Sequence, residues 1–275
     1  MTKTFKKTIQ LLSFAILIGA VASCGNKKST QNQEVPIETE EISEIVKKEF
    51  KYPIPTSYQV TQLLQDADAA FVLDVTNSVE NVDKYETQRD KALNLGIYGA
   101  DLSYASTYNK QEETMQLLQA SRGLIDGLQI SNVFTQEMAD RIEANIENKD
   151  SLISIISKSF YRTYEQLNQN GQDKLALLVV AGSWIEGLYI TAQLAISSNY
   201  DKRIMDIVGN QKLAAKKLAE LCEKYKDDED VKSILPLIRF MNLIYDGVIE
   251  GAGITEGQLG DILENVESTR NEIIE

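Results

Sequence analysis

Residues 175–196 read LALLVVAGSWIEGLYITAQLAI, apolar on nearly every side, with one acid, Glu186, near the middle. A helix of that length could cross a bilayer. Against this, a carboxylate at mid-bilayer is costly, and Ser183 and Gln193 add further polar groups. The reading adopted is a buried central helix. Such a helix needs enough others to cover it on every side.

The rest of the chain supplies them. Thr56 and Gln59 form a capping box ahead of Val60, Leu63, Leu64, Ala67, Phe71, Val75 and Val79, spaced three and four apart, which predicts one helix across 56–79. A second is expected over 84–108. Asn109 followed by Glu112 opens a third, with Met115, Leu118, Ile125 and Leu128. Thr135 caps a fourth to residue 148, and Asp150 a fifth to 167. Asn170-Gly171 breaks the chain before 172–197. Asp201 starts a helix to 226, and another runs to Tyr245, with Pro236 expected to cap or kink it. The last covers 258–274. No segment sustains two-residue alternation, so the expected fold is all-α: about nine helices in a bundle or short α-solenoid, forming one domain over 53–275.

A weak internal repeat runs through this pattern. A shift of 85 residues places Phe160 on Val75, Leu178 on Leu93, Ala181 on Gly96, Glu186 on Asp101 and Tyr189 on Tyr104. With five inserted residues, Ile207 meets Leu117, Val208 meets Leu118, and Leu218 meets Leu128. This reads as two related halves, 56–148 and 149–230, followed by C-terminal helices. The rival reading is that amphipathic helices always align after a fashion. Gly96, Gly99 and Ala100 in one copy, and Gly182, Ser183 and Gly187 in the other, would let neighbouring helices approach closely.

Asp101 and Glu186 are the candidate catalytic pair. Each sits mid-helix with a tyrosine three residues on (Tyr104, Tyr189) and a polar side chain seven on (Tyr108, Gln193), so on nearly the same face. A buried carboxylate needs donors, a cation or a ligand. The tyrosine hydroxyls or Arg89, Arg122 and Arg162 could serve within the core. The alternative is a polar pocket between the halves, with Tyr104, Tyr108, Trp184, Tyr189 and Gln193 as ligand-binding residues. If the acids converge, one keeps its proton near neutral pH, since adjacent carboxylates rarely both ionise. Such a pair could act as general acid and base on a glycan.

Other chemistry is sparse. The chain has no histidine and two cysteines, which removes Ser-His-Asp and Cys-His catalysis, histidine-held haem, the usual zinc sites and a disulfide framework. No cofactor or metal is expected. A net charge of −13 argues against nucleic acid as partner. Gly251, Gly253 and Gly257 have the wrong spacing for a phosphate loop, and the acids 227–230 read as a solvated turn at a helix start. Cys222 reads as a buried small hydrophobe.

The amino terminus reads as an address. Lys3, Lys6 and Lys7 precede an apolar run over 11–22, small residues follow, and then Cys24. Val21-Ala22-Ser23-Cys24 resembles the lipobox of bacterial lipoproteins. The resemblance implies a signal peptide over 1–23 and acylation of Cys24, with palmitate among the chains. It also implies that Cys24 begins the mature protein. Gly25, where many inner-membrane lipoproteins carry aspartate, implies the outer membrane, facing the periplasm. Residues 24–52 are polar and poor in large apolar groups and read as a tether, with a brief helix fitting 38–50. The functional expectation is a lipid-anchored envelope binding or scaffold protein, its partners the membrane and an envelope protein or small molecule. The alternative is a hydrolase of an envelope glycan using Asp101 and Glu186.

Overall fold

The computed structural model describes residues 56–249 and 253–275. The signal, lipidation and tether readings fall outside these. Among the described residues the chain forms ten α-helices and no strand: α1 Ser57–Asp66, α2 Gln88–Thr107, α3 Gln111–Gly127, α4 Gln136–Ala144, α5 Lys149–Gln169, α6 Asp173–Ser197, α7 Lys202–Gly209, α8 Lys212–Glu223, α9 Glu229–Asp246 and α10 Glu256–Ile274. The all-α, multi-helical expectation holds.

Helix α6 is the central rod. It is long and apolar enough to cross a membrane by length and composition, yet it is almost wholly buried inside the domain. Helix α2 lies against it and is buried at every position from Ala92 to Thr107. The two meet through glycine. A methyl group added at Gly96 would stand 2.1 Å from the Val179 carbonyl oxygen, and one added at Gly182 would stand 2.0 Å from that of Leu93. The backbones therefore touch reciprocally, each helix supplying the glycine that admits the other. Around this pair pack α1, α3, α5 and α10, with α7 also against α6 and the antiparallel α8–α9 hairpin beside α10.

Helix ends follow local chemistry. Asp68, Asn109, Gln129, Gly171 and Asn199 all adopt positive φ immediately beyond a helix. In each case that residue and its successor donate back into the last turn: Asp68 to Gln65 and Ala69 to Leu64, Asn199 to Ile196 and Tyr200 to Ala195. This is the Schellman stop, with glycine only at 171 and polar side chains taking its usual place in the other four. Asn109, expected to open α3, instead closes α2. Thr135 caps α4 and Asp201 caps α7, as expected.

Two expected helices are shorter than their apolar spacing implies. The helix predicted over 56–79 ends at Asp66, and two 3-10 turns follow, Leu73–Val75 and Val79–Lys84. Side chains of α2 capture the amides that a continuing helix would use. Val72 N–H donates to the Tyr104 hydroxyl at 2.8 Å, and Asn77 N–H to Asp101 Oδ2 at 3.0 Å. The helix predicted over 201–226 breaks between Gly209 and Lys212, where the Tyr245 hydroxyl donates to the Val208 carbonyl at 2.9 Å. Helix α9 runs on through Pro236. The repeat alignment of Val75 with Phe160 thus pairs a 3-10 turn with an α-helix, whereas its α2–α6 portion pairs two long buried helices.

The glycine contact sets a quantitative expectation. Gly96→Ala and Gly182→Ala should each cost at least about 3 kcal/mol in urea unfolding, the upper end of overpacking penalties, because backbone must move. Gly260→Ala, with nothing within 4 Å of the added methyl in α10, should instead stabilise by up to about 1 kcal/mol.

Candidate functional site

The structure brings Asp101 and Glu186 together and supplies a cation that none of the sequence candidates provided. Five residues beyond Gly96 and four beyond Gly182, the two carboxyls come within hydrogen-bonding reach. Glu186 pairs with Arg270 of α10: Nε to Oε2 at 2.6 Å and a second guanidinium nitrogen to Oε1 at 2.9 Å. The same nitrogen reaches the Val75 carbonyl at 3.2 Å. The guanidinium stacks on the Tyr189 ring, 4.4 Å from its centroid. Asp101 and Glu186 are 0% exposed and Arg270 is 6% exposed.

Protonation follows from this geometry. Burial pushes Asp101 well above the usual carboxylate range, and the negative charge of Glu186 pushes it further. Burial also raises Glu186, but Arg270 and a hydrogen bond from Asp101 draw it back. Oδ1 of Asp101 has no other donor, so with both acids ionised it would face only another acceptor. A proton on Asp101 converts that repulsion into a hydrogen bond. The cluster therefore reads as neutral Asp101, ionised Glu186 and cationic Arg270, whose burial penalty is more than offset by its neighbours, Glu186 foremost.

Each remaining candidate residue has its own place. The Tyr104 hydroxyl accepts from the Val72 amide, and the Tyr108 hydroxyl donates to the Ala69 carbonyl at 2.8 Å. Both rings pack on Phe71, with Tyr104 stacked at 4.8 Å. This aromatic group pins the segment after α1. Trp184 is buried, and its indole nitrogen has no partner among the described residues. Gln193 hydrogen-bonds Tyr189. The arginines proposed as donors lie elsewhere: Arg89 pairs with Asp90, Arg122 lies over the Phe134 ring, and Arg162 is exposed. Cys222 is buried, and burial pushes its thiol up to about 12, which leaves it unreactive.

Sequence reasoning missed Arg270, Asn77, Tyr85 and Tyr98. Arg270 had a signal. On α10, Leu259, Ile262, Val266, Arg270 and Ile273 share one buried face, with the arginine standing where an apolar residue is due. Asn77 links the cluster outward: its amide binds Asp101 and its side chain donates to the Tyr85 hydroxyl at 2.9 Å. The Tyr98 hydroxyl donates to Ser78 at 2.8 Å, closing this side.

The concave surface of the domain lies elsewhere. An open groove of about 750 Å³ runs between residues 79–91 and α3, with Val79, Val82, Met115 and Leu124 among its walls and Asp83, Lys91 and Gln119 also lining it. A cavity of about 50 Å³ lies among α2, α3 and α5. Among the described residues, no group of three or more His, Cys, Asp or Glu could hold a metal ion.

Two substitutions test the cluster. Asp101 has a raised folded pKa, so its stabilising contribution is complete below the ordinary carboxylate range and is lost as pH rises through the raised value. Thermal unfolding of the native chain should show this decline, and Asp101→Asn, which copies the neutral acid, should flatten it. Glu186→Gln leaves Arg270 buried beside a neutral side chain and should cost about 3–5 kcal/mol in urea unfolding at neutral pH.

Comparison with protein-family models, with curated proteins and with solved structures finds no match for this chain.

Proposed function

We propose that this chain is a lipid-anchored cell-envelope protein whose helical domain acts by binding. The anchoring half of the reading is supported by the ordered N-terminal features that end at Cys24. Outer-membrane attachment facing the periplasm rests on Gly25 after that cysteine. The binding half is carried by one observation, the open groove between residues 79–91 and α3. Its 750 Å³ falls within the size range of ligand sites, and it joins apolar walls to a few polar groups. Met115 adds an adaptable, exposed thioether at its edge.

The chemically distinctive residues point the same way. Asp101 and Glu186 are closed off from solvent and occupied by Arg270 and Asn77. Glycoside hydrolysis by this pair would require α2, α6 and α10 to part, so that substrate and water could reach both carboxyls. In the packed state the cluster is structural, joining the last helix to the central one.

Metabolic labelling with an alkyne-bearing fatty acid should mark the native chain and not Cys24→Ser. A photo-crosslinker at Gln119 should form a defined adduct in intact envelopes. Gly123→Trp should abolish it by filling the groove, since Gly123 lines it and a Cβ added there meets only the Val82 methyl at 3.9 Å. Labelling that persists in Cys24→Ser would refute the anchor. An adduct unaffected by Gly123→Trp would refute the groove.

A further inference from the structure

The three most exposed large apolar side chains of the described domain all lie in one region. Leu213 at the start of α8 is 78% exposed, Ile249 just after α9 is 72% exposed, and Leu243 near the end of α9 is 68% exposed. Two observations place Leu213 and Ile249 at the same end of the α8–α9 hairpin, the end at which Leu243 sits in the last turn of α9. Lys212 Nζ donates to the Val248 carbonyl at 3.1 Å, and Leu213 and Ile249 line one groove. On α9, Pro236, Phe240 and Leu243 stand at steps of four and three, all exposed, forming an apolar stripe that leads into this end. The opposite faces of both helices are fully committed. Ala215, Leu218 and Cys222 of α8 and Val231, Ile238 and Met241 of α9 are buried.

Charge is unevenly distributed along the hairpin, with acids in and beside the connecting turn and cations on the stretches that carry the apolar residues. Residues 211–219 and 231–245 contain Lys212, Lys216, Lys217, Lys232 and Arg239 and no acid, in a chain whose net charge is −13. Three of these cations make surface pairs, Lys217 with Glu220, Lys232 with Glu229 and Arg239 with Glu223. Such pairs are weak, and their acids stand towards the connecting turn. Among the described residues Lys216 has no ion-pair partner, and Lys212 meets only a carbonyl. Acids also stand towards this end: Asp206, paired with Lys202, Asp246 at the end of α9, and Glu256 at the start of α10, where Gln258 donates to the Gly247 carbonyl. Large aliphatic and aromatic side chains flanked by lysine and arginine are the composition of a surface that settles into the headgroup region of a bilayer.

We infer that the outer face of the α8–α9 hairpin is a membrane-docking surface for anionic phospholipid. Leu213, Phe240, Leu243 and Ile249 enter the headgroup–acyl boundary, and Lys212 and Lys216 meet lipid phosphates. This rests on the anchored reading above. Cys24 precedes Thr56 by 32 residues, a span of at most about 110 Å, so lipid attachment keeps this face within reach of the bilayer. Docking then orients the domain and determines which way the groove between residues 79–91 and α3 is presented.

The test uses the full lipidated chain on vesicles of phosphatidylcholine with or without phosphatidylglycerol. An environment-sensitive fluorophore is placed at Leu243→Cys or, as a control, at Glu112→Cys. Cys24 is consumed by the lipid, and buried Cys222 does not label. Flotation with vesicles reports the anchor, and quenching by spin-labelled lipid reports the face. The expected result is flotation on both vesicle types, with quenching at position 243 only where phosphatidylglycerol is present and none at 112. Leu213→Glu with Phe240→Glu should abolish the quenching. Lys212→Gln with Lys216→Gln should lower the docking equilibrium constant about thirtyfold, at roughly 1 kcal/mol per surface cation. Flotation with an unquenched 243 probe overturns the docking surface and leaves the anchor standing. Absence of flotation overturns both. A 243 probe equally quenched on uncharged vesicles, or shielded without vesicles by a second copy, also overturns the proposal.

Discussion

Burying a guanidinium together with two carboxyls is the condition on which the rest of this domain is arranged. Removed from water, each group would be costly alone. Together they form a chain of compensation in which Arg270 meets Glu186 on two hydrogen bonds and Asp101 joins by keeping its proton. The three residues come from α2, α6 and α10, so satisfying them fixes the separations of three helices at once. Arg270 and Asp101 also hold the 3-10 region, one through the Val75 carbonyl and the other through the Asn77 amide.

Glycine makes that meeting possible. Without Gly96 and Gly182 the rods α2 and α6 would stand a side chain further apart, and the carboxyls beyond the crossing would lose their hydrogen bond. The close approach and the polar cluster are therefore two parts of one device. Small residues bring the backbones together where there is nothing to satisfy, and the ionisable groups meet where the helices have room for side chains. A buried ion cluster is weak evidence of net stabilisation, but removing Glu186 or Arg270 leaves a buried charge without its counterpart.

Much of this is legible in the chain. Glu186 stands out because it interrupts an apolar run, and Asp101 stands out as its counterpart in a second buried helix. That the two would meet follows from treating α2 and α6 as paired rods. The partner is hidden because Arg270 lies 84 residues beyond Glu186 in a helix that otherwise reads as ordinary and amphipathic. Its position on the apolar face is visible, but nothing in the spacing says which acid it would reach. The end of α1 escapes the sequence for a related reason. The apolar period of three and four continues through Phe71, Val75 and Val79, and only tertiary hydrogen bonds from Tyr104 and Asp101 tell a 3-10 path from an α-helix. The groove and the apolar hairpin face are illegible, because exposure depends on which neighbours do not cover a residue.

A domain built this way separates its roles. Its ionisable interior is spent on holding helices together, and its open surfaces, the groove beside α3 and the hairpin face, are left for contact with other molecules. The most direct test of that separation is the protonation state of Asp101. Carboxyl carbon chemical shifts, followed by NMR across the pH range in aspartate-labelled protein, should show Asp101 keeping its proton to a pH well above the ordinary carboxylate range. An Asp101 resonance that loses its proton within that ordinary range would mean that water reaches the pair, and the closed ion cluster would be wrong.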